Sequence, residues 1–98
     1  SATMVEWNED KNAANIAKHG VSFQRASRIF ESRVLTVIDN RADYGEGREI
    51  SIGLVESVLF LTVVHTDRQG VVRIISARRA NRAERRRYED AIQAGADD

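Results

Sequence analysis

The stretch Val58-Leu59-Phe60-Leu61-Thr62-Val63-Val64 is apolar on both faces of an extended chain and too short for a long helix. It predicts a strand in the middle of a sheet, covered on both sides. His65 and Thr66 lie at its end, residues 67–70 make a tight turn, and Val71-Val72-Arg73-Ile74-Ile75-Ser76-Ala77 returns as its hairpin partner. Any fold for this chain must be built around that hairpin and must supply a layer for each face.

The flanking segments supply those layers. Asn8 is placed to cap a first helix whose opening turn carries Glu9 and Asp10, with Ala13, Ile16 and Ala17 as its apolar face. Lys18 and His19 followed by Gly20 end it. Ser22 caps a second helix, in which Phe23, Ala26, Ile29 and Phe30 recur at helical spacing, ending near Ser32. Residues 34–38 are β-branched or leucine and predict a strand, and the polar, glycine-containing residues 39–47 predict a loop. Ile50, Ile52 and Leu54 then alternate with Glu49, Ser51 and Gly53, which predicts a strand with one wet face. Asn81 and Glu84 have capping-box spacing and open a last helix anchored by Tyr88, Ala91 and Ile92. The order is ααββββα, an α+β layered fold with two N-terminal helices, a four-stranded, largely antiparallel sheet and a C-terminal helix.

A 98-residue chain with 42% apolar and 31% charged residues suits one soluble globular domain. That domain is expected over residues 4–98, with Ser1-Ala2-Thr3 read as an appended remnant. No apolar run approaches the roughly 18 residues of a membrane span, and no basic segment followed by a long apolar one marks a secretory signal. Cysteine is absent, which removes disulfides, thiolate nucleophiles and cysteine-based metal sites and is compatible with a cytoplasmic location.

Fifteen basic residues balance fifteen acidic ones, so whole-chain charge gives no case for nucleic-acid binding. Charge distribution does. Between positions 73 and 87 lie seven arginines and one acid, Glu84, a local net charge of +6. Such asymmetry predicts an anion-binding face on an otherwise neutral surface.

Arg78 and Arg79 stand where the last strand gives way to the last helix. Arginine is always charged and carries a planar fork of donors, so an adjacent pair there suits a phosphate whose charge grows in a transition state. Arg82, Arg85 and Arg86 share a helix face nearby, either as tracks for a phosphate backbone or as a solvated face paired with Glu84, Glu89 and Asp90. Arg73 interrupts an apolar strand, so it is either ion-paired or shares a site with His65 on the neighbouring strand. His65 titrates near neutrality and is a candidate general acid or base, while His19 is accounted for by the helix stop. Trp7 and Tyr88 are either core anchors or stacking platforms for bases. There is no phosphate-binding glycine loop, no Gly-x-Ser-x-Gly elbow, no His-Glu-x-x-His and no convincing metal cluster, so no metal or other cofactor is expected.

Several blocks together resemble the BrnT toxins, from about Glu6 to Glu89. They are Glu6-Trp7-Asn8 with Lys11 and Asn15, Lys18-His19-Gly20-Val21-Ser22-Phe23 with Ala26, Ile52-Gly53, Val63-Val64-His65-Thr66, and Arg73-Ile74-Ile75-Ser76-Ala77-Arg78-Arg79-Ala80 with Arg86 and Tyr88. The family often carries Asp at the position of Asn8 and Tyr at that of His65. The resemblance implies a RelE-like fold, RNA cleavage that arrests growth, and neutralisation by a BrnA-type antitoxin that binds operator DNA, with two toxins in the complex.

A metal-free ribonuclease lets the ribose 2′-OH attack the adjacent phosphate. Arg78 and Arg79 suit charge stabilisation, His65, followed by Tyr88 and Lys11, suits proton transfer, and Arg73 is a further catalytic candidate through the site it would share with His65. Trp7, Lys11, Arg82, Arg85, Arg86 and Tyr88 are the expected RNA contacts. The alternatives are a non-catalytic module that grips RNA, DNA or an acidic partner with the same arginines, and a subunit whose surface serves mainly to dock an antitoxin.

Overall fold

The computed structural model describes residues 3–41 and 47–96. The expected remnant residues Ser1 and Ala2, positions 42–46 of the expected loop, and the last two residues of the expected domain lie outside them. The order is β1 (Met4–Trp7), α1 (Glu9–His19), α2 (Phe23–Ala26), a 3₁₀ segment (Ser27–Glu31), β2 (Val34–Ile38), β3 (Glu49–Val55), β4 (Leu59–Arg68), β5 (Val71–Arg79) and α3 (Arg82–Ala96). No described helix is long and apolar enough to cross a membrane.

The sheet has five strands, in the order β1-β5-β4-β3-β2. Strands β2 to β5 form the antiparallel meander the sequence predicts, and β1 is the addition. It lies parallel to β5, with Met4 beside Val71 and Trp7 beside Ile74. Four residues give too short an alternation to register as a strand, and their partner lies almost seventy positions away. The predicted four-stranded layout is corrected on that point.

One face of the sheet packs against α1, α2 and the 3₁₀ segment, around Val21, Phe23, Ala26, Ile29, Leu61 and Val63. Phe23 and Ile29 are fully buried, which makes this the main hydrophobic contribution to stability. The predicted second helix is present but tightens into 3₁₀ geometry after Ala26. The predicted wet face of β3 is covered instead: Ser51 and Gly53 are buried. A Cβ on Gly53 would stand 2.9 Å from Ile29 Cβ, so glycine is what lets the 3₁₀ segment approach the sheet.

Helix α1 reverses its expected orientation. Ala13, Ile16 and Ala17 are exposed, and its buried residue is Asn15. The reason is the edge of β5. Strand β1 covers that edge only as far as Ile74, so the peptide groups of Ala77 need another partner. Asn15 supplies it: its Nδ2 donates to the Ala77 carbonyl at 2.8 Å and to the Val21 carbonyl at 2.8 Å, and its Oδ1 accepts from the Ala77 N–H at 3.1 Å. One turn earlier, Asn12 Oδ1 accepts from the N–H of Phe23 at 2.8 Å. The caps at Asn8, Gly20 and Ser22 form as predicted.

On the other face, α3 lies over β2 and β3. Tyr88 is buried there, edge-on to Phe60 with ring centroids 5.7 Å apart, and its hydroxyl donates to the Arg33 carbonyl at 3.2 Å.

Candidate nucleic-acid interface

Two local devices fix the end of β5 and the start of α3. A bulge between β4 and β5 places Val64 opposite Ser76 but His65 opposite Ile74, leaving Ile75 as the extra residue. Register resumes beyond it, so Thr62 sits opposite Arg78 and Leu61 opposite Arg79, and these two arginines leave the sheet on opposite faces. The chain then turns with the Ala80 N–H donating to the Phe60 carbonyl at 3.0 Å. The predicted capping box closes: the Glu84 N–H donates to Asn81 Oδ1 at 2.8 Å and the Asn81 N–H to Glu84 Oε1 at 2.9 Å.

Glu84 does more than cap. Both its oxygens accept from Arg78, at 2.7 and 2.8 Å, in a bidentate pair, and Arg78 also donates to the Arg79 carbonyl at 3.2 Å. Hydrogen bonding from Arg78 holds the Glu84 carboxyl down at about 2, with the Asn81 N–H also favouring the charged form against partial burial. The same pairing raises Arg78. Arg78 is thus a fixed cation with one flank committed to Glu84. The positive field of Arg41 reaches it too, and Arg41 grips Asp39 through two bonds of 2.8 Å that bring this carboxyl to about 2.

Arg79 is exposed and has no ion-pair partner among the described residues. It borders a cleft of about 300 Å³ lined by Val58, Leu59, Phe60, Ala80 and Arg85. The Arg85 guanidinium stacks over the Phe60 ring, 4.7 Å from its centroid. A second cleft of about 300 Å³, lined by Ala80, Arg82, Arg85, Arg86 and Glu89, shares Arg85 and Ala80 with the first. The structure therefore brings together Arg79, Arg82, Arg85 and Arg86 around these clefts, with Tyr88 against Phe60, while Arg78, which lines neither cleft, is held by Glu84 of α3.

The other sequence candidates lie elsewhere. His65 is not at a strand end, because β4 continues to Arg68. It is 3% exposed, on the helix-facing side, edge-on to Phe30 at 5.2 Å. Its Nε2 shares a 2.7 Å hydrogen bond with Ser51 Oγ, which shares another of 2.7 Å with Thr36 Oγ1. Burial pushes its pKa below the ordinary 6.5, against weaker opposing fields from Glu49 and Asp67. Arg73 pairs with Glu6 of β1 at 3.1 Å and stands opposite Thr66, so the bulge sends it and His65 to opposite faces. Trp7 packs edge-on against Phe23, 6.4 Å between centroids, with its indole N–H donating to Glu9. Lys11 is exposed on the first turn of α1, and His19 ends that helix.

Three features escaped the sequence reading: the Asp39–Arg41 pair, the buried amide of Asn15, and Phe60 as the floor of a cationic cleft. The i, i+3 spacing of Asn12 and Asn15 was the available signal for a polar inward face.

No curated relative matches the sequence. Among solved structures, the BrnT ribonuclease toxin of Brucella abortus is similar in fold, with a TM-score of 0.60 and 27% sequence identity over 82% of this chain and 100% of that one. The family model for BrnT, the ribonuclease toxin of type II toxin–antitoxin systems, matches residues 7–84, which include β5 and the Arg78–Glu84 junction. With most of its length covered, the chain belongs to the BrnT family of ribonuclease toxins.

Proposed function

We propose that this protein is a metal-independent endoribonuclease acting in the cytoplasm, whose site is the junction of β5 and α3. The observation that carries this reading is the gathering of Arg79, Arg82, Arg85 and Arg86 around two adjoining clefts, with Arg78 fixed beside them by Glu84. Among the described residues no three histidine or acidic side chains converge, so the charge available to an RNA phosphate there is guanidinium charge.

In the reaction the ribose 2′-oxygen attacks the adjacent phosphorus, its proton passing to an acceptor, and the P–O bond to the 5′-oxygen breaks as that oxygen takes up a proton. A 2′,3′-cyclic phosphate and a 5′-hydroxyl result. Negative charge accumulates on the non-bridging oxygens. Arg79 is exposed and uncommitted, so it is the group assigned to those oxygens. Arg78 is held by Glu84 and adds a fixed positive field. Arg82, Arg85 and Arg86 track the flanking backbone, and Lys11 offers a more distant contact on α1. His65, Arg73 and Trp7 are assigned to packing and pairing, because each is engaged inside the fold or across strands.

A type II toxin requires a silencing partner, and the arginine face is where a BrnA-like, DNA-binding antitoxin is proposed to sit, in a complex with two toxin chains. The test is incubation of naked RNA with purified protein in excess chelator. Time-dependent cleavage, suppressed by the antitoxin, is expected. Activity lost in chelator and restored by a divalent ion would contradict metal independence, and binding without cleavage in either condition would contradict catalysis.

A further inference from the structure

The cleft beside Arg79 combines features that backbone tracking does not need. Its floor is an aromatic ring, its wall includes Leu59 and Ala80, its cations are two guanidinium groups, and no acid among the described residues lines it. Tyr88 meets Phe60 edge-on at 5.7 Å, and the Arg85 guanidinium lies over the Phe60 ring, 4.7 Å from its centroid. Arg85 is exposed, and guanidinium planes accept nucleobases.

A strained turn adjoins the cleft. Val58 N–H donates to the Val55 carbonyl at 3.2 Å across Glu56 and Ser57, whose φ angles of 55° and 62° make this a hairpin turn of the kind that favours Asn-Gly. Left-handed backbone is unfavourable for a non-glycine residue. The turn is braced by Arg28 and Glu56, 3.0 Å apart, and it presents Val58, 76% exposed, at the edge of the cleft. Strain of this kind gathers at ligand sites.

We infer that this cleft is a nucleobase subsite, in which one base of a single-stranded RNA stacks on Arg85, supported from below by Phe60 and Tyr88, while its phosphate lies on Arg79. The ribonuclease reading is used only to name the source of the nucleotide. Stacking is indifferent to which base is present, so the subsite takes any base and selects single-stranded over duplex RNA, whose bases are already stacked on one another.

The test is an NMR titration of the isotopically labelled protein with adenosine 5′-monophosphate, ribose 5-phosphate and inorganic phosphate. The nucleotide is expected to bind about 5- to 100-fold more tightly than ribose 5-phosphate, with ring-current shifts at the Arg85 Nε–H and at the Phe60 ring protons. Arg85→Lys keeps the charge and loses the plane, so it should bring the ratio of the two affinities close to one. Equal affinities in the parental protein, no binding of the nucleotide, or shifts centred elsewhere would overturn the subsite, even if RNA is cleaved. A glutamate-rich peptide that shifts Arg85 when the nucleotide does not would overturn it in favour of protein docking. Stacking of the nucleotide without RNA cleavage would leave the subsite standing and remove the ribonuclease reading.

Discussion

The side-chain amide of Asn15 completes the hydrogen bonding of Ala77, donating to its carbonyl at 2.8 Å and accepting from its N–H at 3.1 Å. A side chain on α1 thus does the work of a neighbouring strand, one residue before Arg78. Ala77 and Val21 are buried, so Asn15→Leu should leave one donor, the Ala77 N–H, and two acceptors, the Ala77 and Val21 carbonyls, unpaired and cost about 2–4 kcal/mol. Denaturant unfolding measures this directly. Asn15→Asp should also destabilise, because it keeps the acceptor but loses the donor to Ala77 and Val21. A change below about 0.5 kcal/mol, the size of an ordinary surface substitution, would mean that the edge is satisfied in another way.

Arg78→Ala should weaken the fold as well as the charged face. It strands Glu84, whose side chain is only 14% exposed, but Arg78 itself is 38% exposed, so the loss should be about 1–2 kcal/mol rather than the 3–5 of a fully buried pair. Arg78→Ala/Glu84→Gln should recover part of that loss. Unfolding of both variants at neutral pH decides it, and a double variant less stable than Arg78→Ala alone would argue against the pair.

Acid should loosen the same junction. The Glu84 carboxyl is lowered from 4.5 to about 2 and that of Asp39 from 3.8 to about 2, in each case chiefly by a hydrogen-bonded arginine. A depressed carboxylate contributes stability that is full above its unfolded pKa and is lost as pH falls through its folded one. Stability should therefore decline from about pH 4.5 towards pH 2, and Glu84→Gln should flatten part of the decline. An unchanged acid profile in that variant would contradict the assignment.

His65 should behave as a buried neutral ring. Its pKa is lowered by desolvation, so the unfolded chain takes up the proton first, and stability is full above about 6.5 and falls as pH drops below it. The ring resonances of His65 should titrate below 6.5. A midpoint at or above that value would show that the ring meets solvent or a stronger acidic partner than Glu49, whose Oε1 is 4.0 Å from Nδ1.

What the sequence disclosed follows from the range of the interactions. Asn8, Gly20, Ser22 and the Asn81–Glu84 box act within four residues, and they formed as read. The meander was legible because each strand pairs with its neighbour in the chain. Strand β1 was not, since its short alternation has meaning only beside Val71, Val72, Arg73 and Ile74. Helix α1 misled because hydrophobic periodicity assumes an apolar surface opposite, whereas its neighbour is a strand edge with free peptide groups. Clustering of arginines was visible as charge, but the difference between Arg78 and Arg79 was not. It depends on strand alternation and on where α3 sets Glu84, which no spacing along the chain specifies.

That difference is what assigns the reacting phosphate to Arg79. Single-turnover cleavage of RNA by Arg79→Ala, in chelator and at saturating protein, tests it most directly, with thermal unfolding as the check on folding. Parental stability and a rate lower by roughly 10²-fold or more are expected, because a group facing the reacting phosphate is lost. Arg79→Lys should restore only part of the rate, since an ammonium keeps the charge and loses the fork. A folded Arg79→Ala protein that cleaves at the parental rate would contradict the assignment and leave these arginines a binding role alone.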